Sequence, residues 1–351
     1  MKIGAIDLSP AFALAPMAGM TDTAFRRLVK REGGCSLVVT EMVSSEGLVR
    51  GIDRTLEYAE YTEEERPVSI QIFGGDPEKM AAAAQIVEGM GADIVDVNMG
   101  CPVPKIAKHN AGCSLMREPV QAAAVVSAMT NAVKIPVTVK MRAGWDATEL
   151  NAPDLAKRME DAGASAVAVH GRTAAQSYSG FSDWDFIARV ASRVRIPVFG
   201  SGDCVEPDQI VERLRNGGVS GVLVGRGALR NPWIFSQAAD VIAGRTPRAI
   251  TDVDRARFLL AYIEMLQQER LHEDKGFRHV APGQAPSAPP LDGPARGHDR
   301  WVINKLRALN SWFTKGLDNG SHLRVAINQA SSIAELKEII ERFFVSPALT
   351  R

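Results

Sequence analysis

Asp96-Val-Asn-Met-Gly-Cys-Pro-Val-Pro-Lys105 closes an apolar run that reads as a β-strand. It sets an amide, Asn98, then a glycine turn, then a thiol, Cys101, at the carboxyl end of that strand. In an α/β barrel this end carries the chemistry. A cysteine on a loop shaped by Gly100, Pro102 and Pro104 is presented rather than buried, so it can give a proton to a bound substrate.

Seven similar short runs surround it: Ala13–Ala18, Leu37–Thr40, Val68–Phe73, Val137–Met141, Ala166–His170, Pro197–Gly200 and Gly221–Val224. Between them helical patterns recur at Thr23–Arg31, Pro77–Gly89, Pro119–Ala132, Asp154–Ala162, Trp184–Arg193 and Pro207–Arg215. Alternation of this kind means parallel pairing through right-handed crossovers. Eight strands spread over roughly 230 residues suit a closed (β/α)8 TIM barrel better than an open sheet. From about Thr251 the apolar spacing turns helical throughout, in stripes such as Phe258, Leu259, Tyr262, Ile263, Leu266 and Val302, Leu306, Leu309, Phe313. The expected architecture is α/β: a barrel over residues 1–245, then a small all-helical C-terminal domain over 246–351. The Pro-, Gly- and Ala-rich stretch at about 280–297 reads as a flexible insertion within it.

Lys+Arg and Asp+Glu both number 41, so a polyanionic partner must meet a local basic patch rather than a global excess. Four scattered cysteines without a Cys-x-x-Cys pair exclude a metal-ligand spacing and argue against a disulfide framework, which fits a cytoplasmic protein. The run Phe12-Ala-Leu-Ala15 is interrupted by flanking Asp7, Pro10 and Pro16, and no apolar stretch approaches the ~20 residues that span a bilayer. No membrane association is expected.

Each strand ends on something a purely structural barrel would not require. Pro16-Met17-Ala18 after the first run offers a soft, donor-poor surface against which an aromatic cofactor can lie. Gln71 is an amide within an apolar strand, and buried amides need partners. Lys140 stands in a strand expected to face the barrel interior, a costly place unless an electron-rich ligand compensates it. His170 is followed by Arg172 at the active face. Ser201-Gly-Asp203 and Gly225-Arg226 are glycine turns after the last two strands, where this fold commonly cradles a phosphate. Together these features suit flavin mononucleotide, its phosphate beside the last two strands and Lys140 near the N1–C2 carbonyl edge. Cys35, Cys113 and Cys204 read as small buried residues.

With these residues in place the chain resembles the tRNA-dihydrouridine synthases. The resemblance rests on Ala15-Pro-Met-Ala-Gly-Met-Thr-Asp22, Gln71-Ile-Phe-Gly-Gly75, Asp96-Val-Asn-Met-Gly-Cys-Pro102 with Lys105, Val139-Lys-Met-Arg142, His170-Gly-Arg-Thr173, Tyr178-Ser-Gly180, Gly200-Ser-Gly-Asp203 and Val224-Gly-Arg-Gly227. It implies FMN bound through Pro16, Met17, Ala18, Gln71, Lys140, His170, Ser201, Gly202, Asp203, Gly225 and Arg226. It implies NADPH as the reductant, hydride delivery to C6 of a tRNA uracil, and protonation of C5 by Cys101. Asn98, Arg172 and Lys105 fall where the family meets its substrate, and Lys305 and Arg307 are expected to grip tRNA. No metal is implied, and the expectation is a monomer. Ser201 stands where many members carry asparagine, and Ala174 where a basic residue is common. Ala308 and Leu309 replace two basic residues after Arg307, with Arg296, Arg300, Lys315 and Arg324 nearby to compensate. A competing reading is an FMN-dependent dehydrogenase of a small free pyrimidine, against which the helical C-terminal domain argues.

Overall fold

The computed structural model describes residues 1–107, 110–268 and 297–345. Eight parallel strands close on themselves: β1 (Phe12–Leu14), β2 (Leu37–Val39), β3 (Val68–Phe73), β4 (Ile94–Met99), β5 (Val137–Arg142), β6 (Ala166–His170), β7 (Val198–Ser201) and β8 (Gly221–Val224). Closure is made where β1 pairs both β2 and β8, and β2 pairs β3 through Val38↔Val68 and Val39↔Ser69. The TIM barrel expected from the alternation is therefore present. The first run is shorter than its apolar length suggested, because the chain turns at Met17, where the Thr21 hydroxyl accepts from Met17 N at 3.0 Å.

The crossover helices are α1 (Thr23–Glu32), α2 (Pro77–Gly89), α3 (Pro119–Ala132), α4 (Ala152–Asp161), α5 (Trp184–Arg193) and α6 (Pro207–Asn216). Their starts are written locally: Asp22, Asp76 and Asp183 each accept from the first turn of α1, α2 and α5, satisfying donors that no helix can satisfy alone. Behind β8 come α7 (Arg226–Arg230) and α8 (Ile234–Ile242), and then α9 (Asp252–Gln268), α10 (His298–Phe313), α11 (Gly320–Gln329) and α12 (Ile333–Phe344). Phe258 of α9 packs edge-on to Phe25 of α1 and to Trp233, and stacks on Phe313 of α10 at 5.9 Å. One buried apolar cluster thus runs from the outer face of the barrel through the C-terminal helices. The stretch expected to be a flexible insertion lies, but for Gly297, outside the described residues.

The barrel interior is a separate and smaller core. Strand alternation turns Ala13, Leu37, Val39, Ala166, Phe199 and Leu223 inward, and an N-terminal hairpin of Lys2–Ile3 with Ile6–Asp7 joins them through Ile3 and Leu8. Interior positions on β3, β4 and β5 are instead Ser69, Gln71, Asp96, Asn98, Thr138 and Lys140, set in register by Gln71↔Asp96, Asp96↔Thr138 and Asn98↔Lys140. Half the barrel is lined with polar groups. Among the described residues no helix is long and apolar enough to cross a membrane, and no cluster of His, Cys, Asp and Glu could hold a metal ion.

Candidate active site

The polar half of the interior is a directed chain of hydrogen bonds. Buried Asp96 accepts from Thr138 Oγ1 at 2.6 Å and from Gln71 Nε2 at 2.7 Å. Gln71 Oε1 then accepts from Asn98 Nδ2 at 2.8 Å, and Asn98 Oδ1 accepts from the backbone of Gly100 (3.1 Å) and Cys101 (3.0 Å). The loop that presents the thiol is therefore bonded back to the centre of the barrel. Burial pushes the Asp96 carboxyl above its usual range, against the two hydrogen bonds and nearby Lys140, which favour the charged form.

From the other side Cys101 O accepts from Cys113 N at 3.0 Å. Gly112 makes that approach possible. It sits at φ +62°, and a Cβ there would come within 2.5 Å of the Cys101 carbonyl oxygen. Arg142 pins the loop from a third direction, donating to the carbonyls of Gly100, Thr173 and Ser177, each at 2.9 Å. Cys101 itself stays partly exposed, whereas Cys35 and Cys113 are buried with thiols pushed up to about 11, and Cys204 to about 12.

Lys140 is next to Asn98 in register and lines both the barrel interior and the mouth. Among the described residues nothing accepts a hydrogen bond from its ammonium. Burial, with Arg142 adding repulsion, lowers its pKa to about 8. Around it opens a cleft of about 590 Å³ of empty volume, open solvent at its mouth included. Its walls include Pro16, Met17, His170, Ser201, Gly202, Asp203, Gly225 and Arg226. Of the residues expected to meet a cofactor, only Ala18 and Gln71 do not line it. Gln71 is sealed behind Asn98 with 1% exposure.

His170 is held neutral. Burial first, then the positive charges of Lys140, Arg142, Arg172 and Arg226, lower its pKa to about 2. Arg172 can only donate, so the 3.3 Å contact between its guanidinium and His170 Nε2 leaves the ring proton on Nδ1. Nε of Arg172 donates to the carbonyl of Ser179, and Nη2 to the carbonyl of Gly180 and to both carboxylate oxygens of Asp203. Asp203 also accepts from Arg226 at 3.4 Å.

Three residues expected to touch substrate are thus engaged within the protein. Arg172 has a 2% exposed side chain and ties the loop after β6 to the one after β7. Lys305 lies 3.1 Å from Asp22 Oδ2 and 3.6 Å from Glu41 Oε1, joining α10 to the turn after β1, where Glu41 also accepts from Gly19 N. Arg307 donates to Ala330 O and Asn304 Oδ1. Lys105 belongs to the short helix Pro104–Ala107 that follows Cys101; its side chain lies outside the described residues. Sequence reasoning assigned no role to Asp96, Thr138, Arg142 or Gly112. Asp96 carried the same signal as Gln71, a polar side chain at an inward position of an apolar strand.

The model of the family described as dihydrouridine synthase (Dus) matches residues 13–286. A probable tRNA-dihydrouridine synthase of Rickettsia conorii is 37% identical over 348 residues, covering 99% of this chain and 97% of that protein. The tRNA-dihydrouridine synthase B of Xanthomonas campestris pv. campestris is 41% identical over 243 residues, 69% of this chain and 73% of that one. Among solved structures, the crystal structure of TcOYE with pHBA aligns with a TM-score of 0.52 at 12% identity, over 69% of this chain and 92% of that one. That last likeness concerns the barrel fold alone.

Proposed function

This chain belongs to the dihydrouridine synthase family, and on that footing we propose that it reduces specific uridines of tRNA to 5,6-dihydrouridine, with FMN as its flavin and NADPH as the reductant. The observation that carries the reading is Cys101, its backbone N–H bonded to Asn98 on a loop one strand from the ammonium of Lys140, which finds no acceptor among the described residues.

The residues present fit the flavin. An ammonium with no acceptor among the described residues suits the electron-rich edge of its ring, and Pro16 and Met17 line the cleft. The backbone of Gly225 and Arg226 opens α7 with no side-chain cap, leaving amide donors for a phosphate. Ser201, Gly202 and Asp203 complete that wall. When bound, FMN would supply the hydride for C6 of the uracil. Cys101 gives the proton to C5 from Sγ, and Asn98 and Arg142 hold the loop that aims it. Asn98 Nδ2 donates to Gln71 Oε1 and, at 3.6 Å, to the thioether of Met42, a weak acceptor that a uracil carbonyl would displace. Neutral His170 offers Nδ1–H without adding charge, and Arg172 organises the loop that closes this side. Lys105, on the short helix after Cys101, is a further substrate contact in this reading. The uridine must leave its stack to reach the site, and the helical region from residue 246 grips the RNA backbone.

The test is direct. Purified protein should be yellow and, with NADPH, should raise the dihydrouridine content of unmodified tRNA, read by mass spectrometry of its nucleosides. Cys101→Ala should keep the flavin and lose on the order of 10²–10⁴-fold in turnover, the usual worth of a positioned acid. Unchanged turnover removes Cys101 from its role. A protein that cannot take up FMN overturns the cofactor, and faster reduction of free uridine than of tRNA favours a dehydrogenase of small pyrimidines.

A further inference from the structure

The loop leaving β6 displays two aromatic rings at the barrel mouth. Tyr178 is 60% exposed and Phe181 is 87% exposed. The loop that carries them is tied down on both sides. Arg172 donates to Ser179 O (3.1 Å) and Gly180 O (2.7 Å), while Ser182 N donates to Asp203 Oδ2 and Asp183 N to Gly171 O. The phenyl ring of Phe181 is therefore held out in solvent by a buried arginine and a carboxylate, rather than swinging on a slack segment.

A single exposed apolar side chain needs no explanation, but this one has a context. Tyr178, three residues earlier, lines the cleft and lies under two guanidinium groups, Arg226 at 4.7 Å and Arg142 at 5.8 Å. Positive charge continues outward from Arg226. Lys315, just past the C-cap of α10, lies near enough to Arg226, Arg230 and Arg324 for their repulsion to lower its pKa, after burial, the larger cause. The side chain of Arg230 reaches to Gly316. Aromatic faces interleaved with cations are what an unstacked RNA strand requires: rings for its bases, charge for its phosphates.

We propose that the Tyr178–Phe181 edge is a stacking platform for single-stranded RNA, on which Phe181 takes a base flanking the uridine being reduced. Extraction of one nucleotide leaves its neighbours with an open face, and a phenyl ring fixed at the mouth of the cleft covers it. The inference rests on the tRNA reading above and names a contact that reading leaves open. Specificity for the strand around the target then resides partly in this loop.

The experiment compares Phe181→Ala, Phe181→Leu and Phe181→Trp with the wild type, using an unmodified tRNA pool. Filter binding gives Kd, and dihydrouridine formation gives KM and kcat. Alanine should raise Kd and KM roughly five- to a hundredfold, the usual loss of one base–aromatic stack. Leucine, with similar bulk and no π face, should behave like alanine, while tryptophan restores binding. FMN content, thermal midpoint and reduction of the flavin by NADPH without tRNA should stay at wild-type values. Wild-type Kd in the alanine variant overturns the platform, as does full function in the leucine variant. Loss of FMN would assign the ring to the cofactor instead, and also overturns it. If the wild type binds tRNA without reducing it, the enzymatic reading fails, while the ratio of binding constants still decides this one.

Discussion

Gly112→Ala tests whether the seat of Cys101 limits the reaction. Gly112 has φ +62°, and an added methyl would stand 2.5 Å from the Cys101 carbonyl oxygen, 3.1 Å from Ile106 and 3.2 Å from Cys101 Cβ. Cβ contacts with backbone below 3.0 Å essentially do not occur, so the carbonyl must retreat by at least 0.5 Å. The left-handed conformation itself costs an alanine about 1–2 kcal/mol, well inside the ~5–15 kcal/mol of a typical fold. The variant should therefore fold. A misplacement of 1 Å near reacting groups can cost on the order of 10²-fold, so half of that should lower kcat by about tenfold. Gly51→Ala is the control. Its φ is +64°, with nothing within 4 Å of the added methyl, so it carries the backbone strain without the clash. Both variants should lose similar stability by chemical denaturation, and only Gly112→Ala should lose dihydrouridine formation at unchanged flavin content. Wild-type kcat in Gly112→Ala, or an equal loss in Gly51→Ala, refutes the reasoning.

Two further expectations follow from buried charges. Lys140 titrates at about 8 in the fold against 10.5 for the free side chain, so its burial penalty is fully present below pH 8 and relieved as pH rises toward 10.5. In flavin-free protein, Lys140→Met should gain most over wild type at pH 7, by up to about 3 kcal/mol from the shift; parallel denaturation midpoints from pH 7 to 10 would sink it. Lys305→Met should cost stability, about 3 kcal/mol, because it strands the carboxylates of Asp22 and Glu41 in a largely buried site. The salt slope of tRNA binding should not change, and a slope reduced by about one would return Lys305 to the phosphate contacts.

Legibility in the sequence followed a physical line. The eight strands and most crossover helices were readable because each buries a face at a fixed period, and α2, α3 and α5 begin and end where the caps and breaks in pattern put them. The N-terminal hairpin was not, since two-residue strands carry no period. Nor was α11, whose buried stripe is only Gly320, Leu323 and Ile327. Within the site, Lys140 and His170 stood out as charge-capable groups in apolar runs. The fate of Lys305 was illegible for a different reason. Its partners Asp22 and Glu41 lie at the other end of the chain, and counting charges along α10 cannot distinguish a solvated cation from one clasped across the fold.

The order of hydrogen bonds behind Cys101 admits one direction only. The N–H groups of Gly100 and Cys101 are donors, so Asn98 must present its oxygen to them and its nitrogen to Gln71. Gln71 must then meet that nitrogen with its own oxygen, which turns its amide hydrogens toward Asp96. A carboxylate is the natural terminus, because it accepts on both oxygens and takes the Thr138 hydroxyl on the second. An asparagine at 96 could end the same chain only with its amide nitrogen facing Thr138, whose hydroxyl would have to turn from donor to acceptor. An apolar residue there would leave both Gln71 and Thr138 with buried donors and no acceptor, each costing about 1–3 kcal/mol. Asp96 therefore sets which way two amides face, and through them where the thiol loop sits, while its own carboxyl stays buried beneath the cleft.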